Sequence, residues 1–498
     1  MTSDSENGSD LLPKNARNVV RFLRRASGLA ARVRKEKFME GGLSELMDLQ
    51  ESIFKLQVDV QAEISEAKRG LSKDAASLHY VSELRRLRKL ARKLGDAAAW
   101  TVLLLDRQVI HSLRDNQAVP IPSRFDNHHR AMFDFVHSMI SREWGIPIVH
   151  DITDILRVGD VTYVRPTGHQ DPLAQYATME LKISPGVPVE GSDDKLLEYS
   201  VQVHSITKEP IAQPAHVVTT EPTPAAVRRQ ELQARHNSPR IARQLQRMRN
   251  AVDGQAAEFY KMSKVGDAHV FTVRTEGDPE PHWNLLRRAM RQARSQGNAS
   301  FSLGGFVSYT VVYNAAGLTE TDFQPESMVA SIKEIMPSAR RTGRDNLTVQ
   351  LVSEPRDDDK HLPHVVLPMF LWAVPRRAID DMIRFRMVVT AAWNMGALAE
   401  LIEAEGMEVR PSPTGTDPRN YGVVVPLKWA DGAGEYHLGV PWDDVMLAVR
   451  EFRGPEAVLA RLRAARDMTE HVSLTEFIEQ SDTVGGGGNT SENVNDAG

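Results

Sequence analysis

Along this chain the apolar positions change period, and the change divides it into a helical beginning and a mixed remainder. From Leu11 to about Gly41, Val19, Val20, Phe22, Leu23, Leu29 and Val33 recur at helical spacing among arginines, with a break predicted near Ser27-Gly28. Residues 43–69 carry Leu46, Leu49, Ile53, Leu56, Val60 and Ile64 on one stripe ahead of Gly70, the pattern of an amphipathic helix with a glycine stop. A third helix is predicted over about Ala75 to Leu94, with Leu84, Leu87, Leu90 and Leu94 in line. Residues 11–96 therefore read as a helical bundle or an antiparallel helical hairpin, a surface for packing, self-association or a partner protein. Ala97 to His111 is more apolar and predicts a buried helix. Beyond the turn at Pro120 and Pro122, Phe125 to Trp144 predicts another, with Met132, Phe133, Val136, Met139 and Ile140 facing inward.

Between Asp154 and Ser184 the period falls to two. Two β-rich runs are joined by a polar connection containing Pro166, Gly168 and Pro172. The first is Ile155 to Val164; in the second, Ala177, Met179, Leu181 and Ile183 fall on one face and Thr178, Glu180, Lys182 and Ser184 on the other. A strand from Leu197 to Thr207 follows, then an extended proline-bearing connection. A helix is predicted from about Pro224 to Ala257, interrupted at Asn237-Ser238-Pro239. Its second piece groups Arg240, Arg243, Gln244 and Arg247, while Ile241, Leu245 and Met248 pack inward.

A second globular region is expected over residues 266–480. Strands Ala268 to Arg274 and Gly305 to Tyr313 flank a basic helix, His282 to Ser295, and further strands are predicted at Leu347 to Ser353 and His364 to Ala373. Pro375 to Glu405 reads as one long apolar helix whose buried face includes Ile379, Met382, Met387, Val388, Trp393 and Leu398. Strands Tyr421 to Trp429 and Glu435 to Val440, joined through Asp431-Gly432, and helices near Trp442 to Phe452 and Pro455 to Met468 complete it. The whole is an α+β protein. Polar residues 1–10 are expected to be disordered, and 481–498, with Gly485 to Gly488, to form a flexible tail.

Composition narrows the picture. A chain of 498 residues with 41% hydrophobic content is expected to form two or three domains. The absence of cysteine removes disulfides, zinc-thiolate sites and thiol nucleophiles together. The first twenty residues lack an apolar signal core and no window approaches a membrane span, so the expectation is a soluble cytoplasmic protein without membrane association. No P-loop, dinucleotide fingerprint, nucleophile elbow or HExxH helix occurs, and no internal repeat is visible. The formal net charge is only −5, but basic residues crowd Lys14 to Lys37, Arg85 to Lys93 and Arg228 to Arg249, candidates for phosphate contacts or simply solvated helix faces.

The candidate chemistry lies in the alternating region. Asp160 follows Gly159 in the first run, while Glu180 and Lys182 share one face of the second. If the two runs pair in one sheet, two carboxylates and an ammonium converge, an arrangement suited to holding Mg²⁺ beside a phosphodiester. In Gly159-Asp160 and Glu180-Leu181-Lys182 the sequence resembles the PD-(D/E)xK nuclease superfamily, the restriction-endonuclease-like fold. Its site is an Asp at the end of one strand and a Glu-x-Lys on the next; its usual proline before the Asp is here Gly159. The resemblance implies a restriction-endonuclease-like core over residues 97–260. It also implies Mg²⁺ or Mn²⁺ held by Asp160, Glu180 and the Leu181 carbonyl, and Lys182 serving the attacking water or the transition state. Arg243, Gln244 and Arg247 become phosphate-positioning candidates, and Glu143 an accessory ligand. Asp151 and Asp154 read more simply as a turn device, and His128-His129 matches no metal-ligand spacing.

The implied function is metal-dependent hydrolysis of nucleic acid, DNA rather than RNA, in a bacterial setting such as defence against phage. Any ATPase in such a pathway would reside on another polypeptide. Two alternatives stay open: a non-catalytic interaction or scaffold protein, and a DNA-binding regulator with a degenerate nuclease fold.

Overall fold

The computed structural model describes, with breaks of one or two residues, residues 14–34, 43–70, 75–113, 121–140, 145–164, 176–183, 187–188, 197–198, 201–205, 260–265, 268–273, 279–318, 332–336, 347–353, 366–410 and 421–473. Residues 1–10, the helix expected from Pro224 to Ala257 and the tail 481–498 lie outside them. The chain divides into two compact units. The first comprises residues 1–256, 354–361 and 367–384, the second residues 257–353, 362–366 and 385–498. The stretches 11–96 and 97–260, expected as separate regions, thus fall in one unit up to residue 256. Both units contain helices and antiparallel strands, so the fold is α+β.

In the first unit, helices α1 (Lys14–Val33), α2 (Leu43–Arg69) and α3 (Ala75–Val102) pack on one another. The stripes predicted for α2 and α3 are the buried ones, from Leu46 through Ile64 and from Leu84 through Leu94. Two boundaries differ from the pattern. α1 continues through Ser27-Gly28, since Ala26, Leu29 and Ala30 bury on either side. Glycine inside a helix costs about 1 kcal/mol, less than a buried leucine returns. α3 runs past Leu94 to Val102 for the same reason: Ala97, Ala98, Ala99 and Trp100 are buried. It takes up residues 97–102 of the helix expected to His111, and the short helix α4 (Arg107–Ser112) takes up residues 107–111. Helix α5 spans Asn127–Ile140, and residues 141–144 of the expected helix, Glu143 among them, lie outside the described residues.

The sheet of this unit begins with β1 (Ile146–Val149), four buried residues too short to display alternation and therefore not predicted. A 3₁₀ turn, His150–Ile152, leads through irregular backbone to β2 (Val161–Val164), shorter than the run expected from Ile155. β3 (Tyr176–Ile183) follows. β4 (Val187–Pro188) and β5 (Leu197–Glu198) pair with each other, and β6 (Val201–Ser205) completes an antiparallel order β1-β2-β3-β6.

The second unit opens with a paired hairpin, β7 (Tyr260–Val265) and β8 (Ala268–Val273). Helix α6 (Trp283–Gln296) precedes β9 (Asn298–Leu303), β10 (Val307–Tyr313) and β11 (Leu347–Leu351). The long helix expected from Pro375 to Glu405 is three elements instead. Helix α7 (Arg376–Ile383) belongs to the first unit; β12 (Met387–Asn394) and helix α8 (Met395–Ala404) belong to the second. Every residue of β12 is buried, as the second strand in the sheet order β11-β12-β10-β9. A strand buried on both faces gives a continuous apolar run that periodicity cannot separate from a buried helix. The strand expected from His364 to Ala373 is likewise corrected: Met369–Leu371 is a 3₁₀ turn with Met369 and Phe370 buried. Strands β13 (Tyr421–Lys428) and β14 (Glu435–Pro441) pair, and helices α9 (Trp442–Arg450) and α10 (Glu456–His471) close the unit. The Tyr309 hydroxyl donates to the Val449 carbonyl at 2.6 Å, tying β10 to α9.

α3 passes the 3₁₀ turn of the first unit so closely that a β-carbon on Gly95 would overlap the Ile152 carbonyl. Gly95→Ala, stabilising by about 1 kcal/mol in an unconstrained helix, is therefore expected to lower unfolding free energy by about 2 kcal/mol or more. Urea unfolding of the whole chain checks this, and unchanged stability would mean that helix and turn can separate without cost.

Candidate active site

β2 and β3 pair with Val161 opposite Met179, Thr162 opposite Thr178, Tyr163 opposite Ala177 and Val164 opposite Tyr176. One further step in this register brings Asp160 level with Glu180. The Asp160 amide donates to the Met179 carbonyl at 2.8 Å, and its carboxylate turns into the ladder, where Oδ2 accepts from the Leu181 amide at 2.6 Å. So short an N–H···O⁻ contact is of the charge-assisted kind. Asp160 is thereby held against the residue between Glu180 and Lys182. On β6, Glu180 pairs with His204 and Lys182 with Gln202. The side chains of Glu180 and Lys182 lie outside the described part, and their positions here are those of the backbone register.

On the other side of Asp160, its carbonyl accepts from the His150 amide at 2.8 Å. The register thus runs His150, Asp160, Glu180, His204 across the four strands. A buried polar chain lies beside this line. His150 Nε2 stands 2.9 Å from Thr162 Oγ1, which stands 2.8 Å from Thr178 Oγ1. Val161, Tyr163, Met179 and Leu181, the alternate positions, are buried as well. Neither histidine was singled out from the sequence, because only cross-strand register reveals the line.

The turn that delivers Asp160 is fixed by two residues of α3. Asp96, buried, accepts from the amides of Asp154 and Ile155 at 2.6 and 3.2 Å through Oδ1, and from Lys93 Nζ at 3.0 Å through Oδ2. Arg92, also buried, donates to the carbonyls of Asp151 and Thr153 and lies 3.6 Å from the Asp154 carboxylate. Arg92 belongs to the basic run Arg85 to Lys93, read in sequence as phosphate contacts or a solvated helix face, and Asp96 follows it. Asp151 and Asp154 are therefore parts of a turn, as their spacing suggests. His129 pairs with Asp126 at 2.7 Å and packs against Phe54. Arg243, Gln244 and Arg247 lie outside the described residues.

Among the described residues no group of three or more metal-ligating side chains is assembled. No protein-family profile, curated protein or solved structure matches the chain.

Burial pushes the Asp96 carboxyl above the usual carboxylate range; Lys93 pulls it back, and the Asp154 carboxylate pushes it up again. A folded-state pKa above the unfolded one means that ionising Asp96 works against the fold. Its favourable contribution is complete below the unfolded value and is lost as pH rises through the folded one. Asp96→Asn keeps an acceptor and abolishes the titration, so it is expected to flatten this part of the pH dependence. Asp96→Ala takes the acceptor from the buried Ile155 amide and the part-buried Asp154 amide and is expected to cost about 2 kcal/mol or more. Urea unfolding of the three proteins across the acidic and neutral range checks both. Parallel curves for the wild type and the Asn variant would remove Asp96 as the titrating group.

Proposed function

We propose that the first unit is a metal-dependent phosphodiesterase of the PD-(D/E)xK kind, with a restriction-endonuclease-like core and DNA as its substrate. The observation that carries the reading is the hydrogen bond from Leu181 to Asp160. It joins a carboxylate at the start of one strand to the centre of Glu180-Leu181-Lys182 on the antiparallel neighbour. The donor set fits the implied ion: the Asp160 and Glu180 carboxylates and the Leu181 carbonyl are hard oxygen ligands of the type that suit Mg²⁺ or Mn²⁺. When bound, such an ion supplies Lewis-acid stabilisation of charge developing on a phosphate.

The remaining work falls to the chain. Asp160 is fixed through its amide, its carbonyl and one carboxylate oxygen, so little reorganisation is required of it. Lys182 Nζ would neutralise the transferring phosphate or hold the proton leaving the attacking water. A second reading has its own support. Asp160 spends an oxygen on a backbone amide, which is also what a purely structural carboxylate would do, as expected of an interaction protein built on a degenerate nuclease fold.

The test is incubation of the purified chain with plasmid, linear and single-stranded DNA and with RNA, each with Mg²⁺, Mn²⁺ or chelator. Metal-dependent cleavage of DNA is expected, falling by about 10²-fold or more in Glu180→Gln and Lys182→Ala with unfolding curves unchanged. Cleavage persisting in both variants rejects the site, and a folded wild type inert under every condition favours the non-catalytic reading.

A further inference from the structure

Charge is segregated in this protein in a way that the total conceals. α1 carries Lys14, Arg17, Arg21, Arg24, Arg25 and Arg32, and α6 carries Arg287, Arg288, Arg291 and Arg294; neither helix contains a single carboxylate. Removing these ten cations from the chain's 61 leaves 51 against 66 acidic residues. Two helices, one in each unit, thus carry positive charge with no acidic residue of their own, in a chain whose remaining residues sum to a net negative charge.

The two helices are built alike. The inner face of α1 is spent on Phe22, Ala26, Leu29, Ala30 and Val33, and that of α6 on Leu286, Ala289, Met290 and Ala293, all buried. The outer faces are cationic: Lys14, Arg17, Arg21 and Arg24 are exposed, as are Arg287, Arg288 and Arg291. Steps of three and four residues put the first set in a single row about 15 Å long at 1.5 Å per residue. This row, with Arg25, lines an open groove of about 490 Å³. On its flank, Arg25 meets Asp59 and Lys14 meets Glu66, both pairs well exposed and so of a kind that contributes little to the fold.

We infer that these arginine faces are docking surfaces for the phosphate backbone of a nucleic acid. Nine of the ten cations are arginines, whose planar forks match phosphate oxygens two at a time. A row of cations suits a polymer of regularly spaced anions, and neutralising several phosphates releases their counterions, the main source of sequence-independent affinity. A bilayer is the poorer match, because α1 has buried the apolar residues that an interfacial helix would insert. Neither arginine face includes Asp160, Glu180 or Lys182, and a nucleic acid can dock on them whether or not the chain cleaves it.

Binding of fluorescent duplex DNA and single-stranded RNA is measured by anisotropy in chelator, from about 50 to 200 mM salt, where cleavage cannot interfere. The wild type is expected to bind with strongly salt-dependent affinity. Arg17/Arg21/Arg24→Gln and Arg287/Arg288/Arg291→Gln are each expected to weaken binding at least about 10-fold at low salt. Each should also lower the magnitude of the log–log salt slope by about 2 to 3, at 0.9 per lost phosphate contact on duplex DNA. Lys68/Arg69/Arg130→Gln, which removes as much positive charge from other exposed positions, is expected to leave the slope unchanged. No binding by the wild type at about 50 mM salt, slopes in the two helix variants equal to that of the wild type, or an equal drop in the control overturns the inference. So does binding to anionic phosphatidylserine vesicles without binding to either nucleic acid.

Discussion

An edge strand has backbone N–H and C=O groups that its sheet does not satisfy, and in the first unit the helices satisfy them. Gln50 of α2 brackets β1, donating to the Pro147 carbonyl at 2.9 Å and accepting from the Val149 amide at 2.8 Å, as another strand would. Gln57 takes the Ile152 carbonyl at 2.7 Å, Arg92 those of Asp151 and Thr153, and Asp96 the amides of Asp154 and Ile155. All four side chains are buried. An unpaired buried group costs about 1–3 kcal/mol, so removing any one of them is felt along the whole segment 147–155. That segment holds His150, whose amide fixes the Asp160 carbonyl. The candidate site therefore depends on α2 and α3 as much as on its own strands.

These polar side chains also show where reading a sequence by pattern stops. The stripes of α2 and α3 were legible because core positions on a helix must repeat near 3.6 residues. Gln50, Gln57, Arg92 and Asp96 interrupt no stripe and look like ordinary solvated positions. They are buried because another element happens to need partners there, which is a fact about tertiary contact and not about local pattern. β12 fails for a different reason. Its residues are mostly apolar and do not alternate, and the β-branched run Val388-Val389-Thr390 was the signal that argued for a strand over a helix.

The site divides in the same way. Asp160 and Glu180-Leu181-Lys182 were readable because each lies within one strand-like run and the runs are neighbours in the chain. His150 and His204 enter only when four strands are set in register, since a shift of one residue would move either to the opposite face. Their place in line with Asp160 and Glu180 is a property of the sheet, and neither could be named from spacing along the chain.

The two threonines beside that line bear on how such a site is kept in shape. Threonine and valine have nearly the same outline, so Thr162 and Thr178 pack into the buried sheet no better than valines would. What the hydroxyls add is a hydrogen-bonded path from one strand to the next that ends on the His150 ring. The ring holds the turn from the sheet side while Gln57, Arg92 and Asp96 hold it from the helix side. Between these two sets of hydrogen bonds the His150 amide, and the Asp160 backbone it meets, have little freedom left. Buried hydroxyls that would be a liability in a purely apolar core are in this place part of the geometry that sets a carboxylate against Leu181.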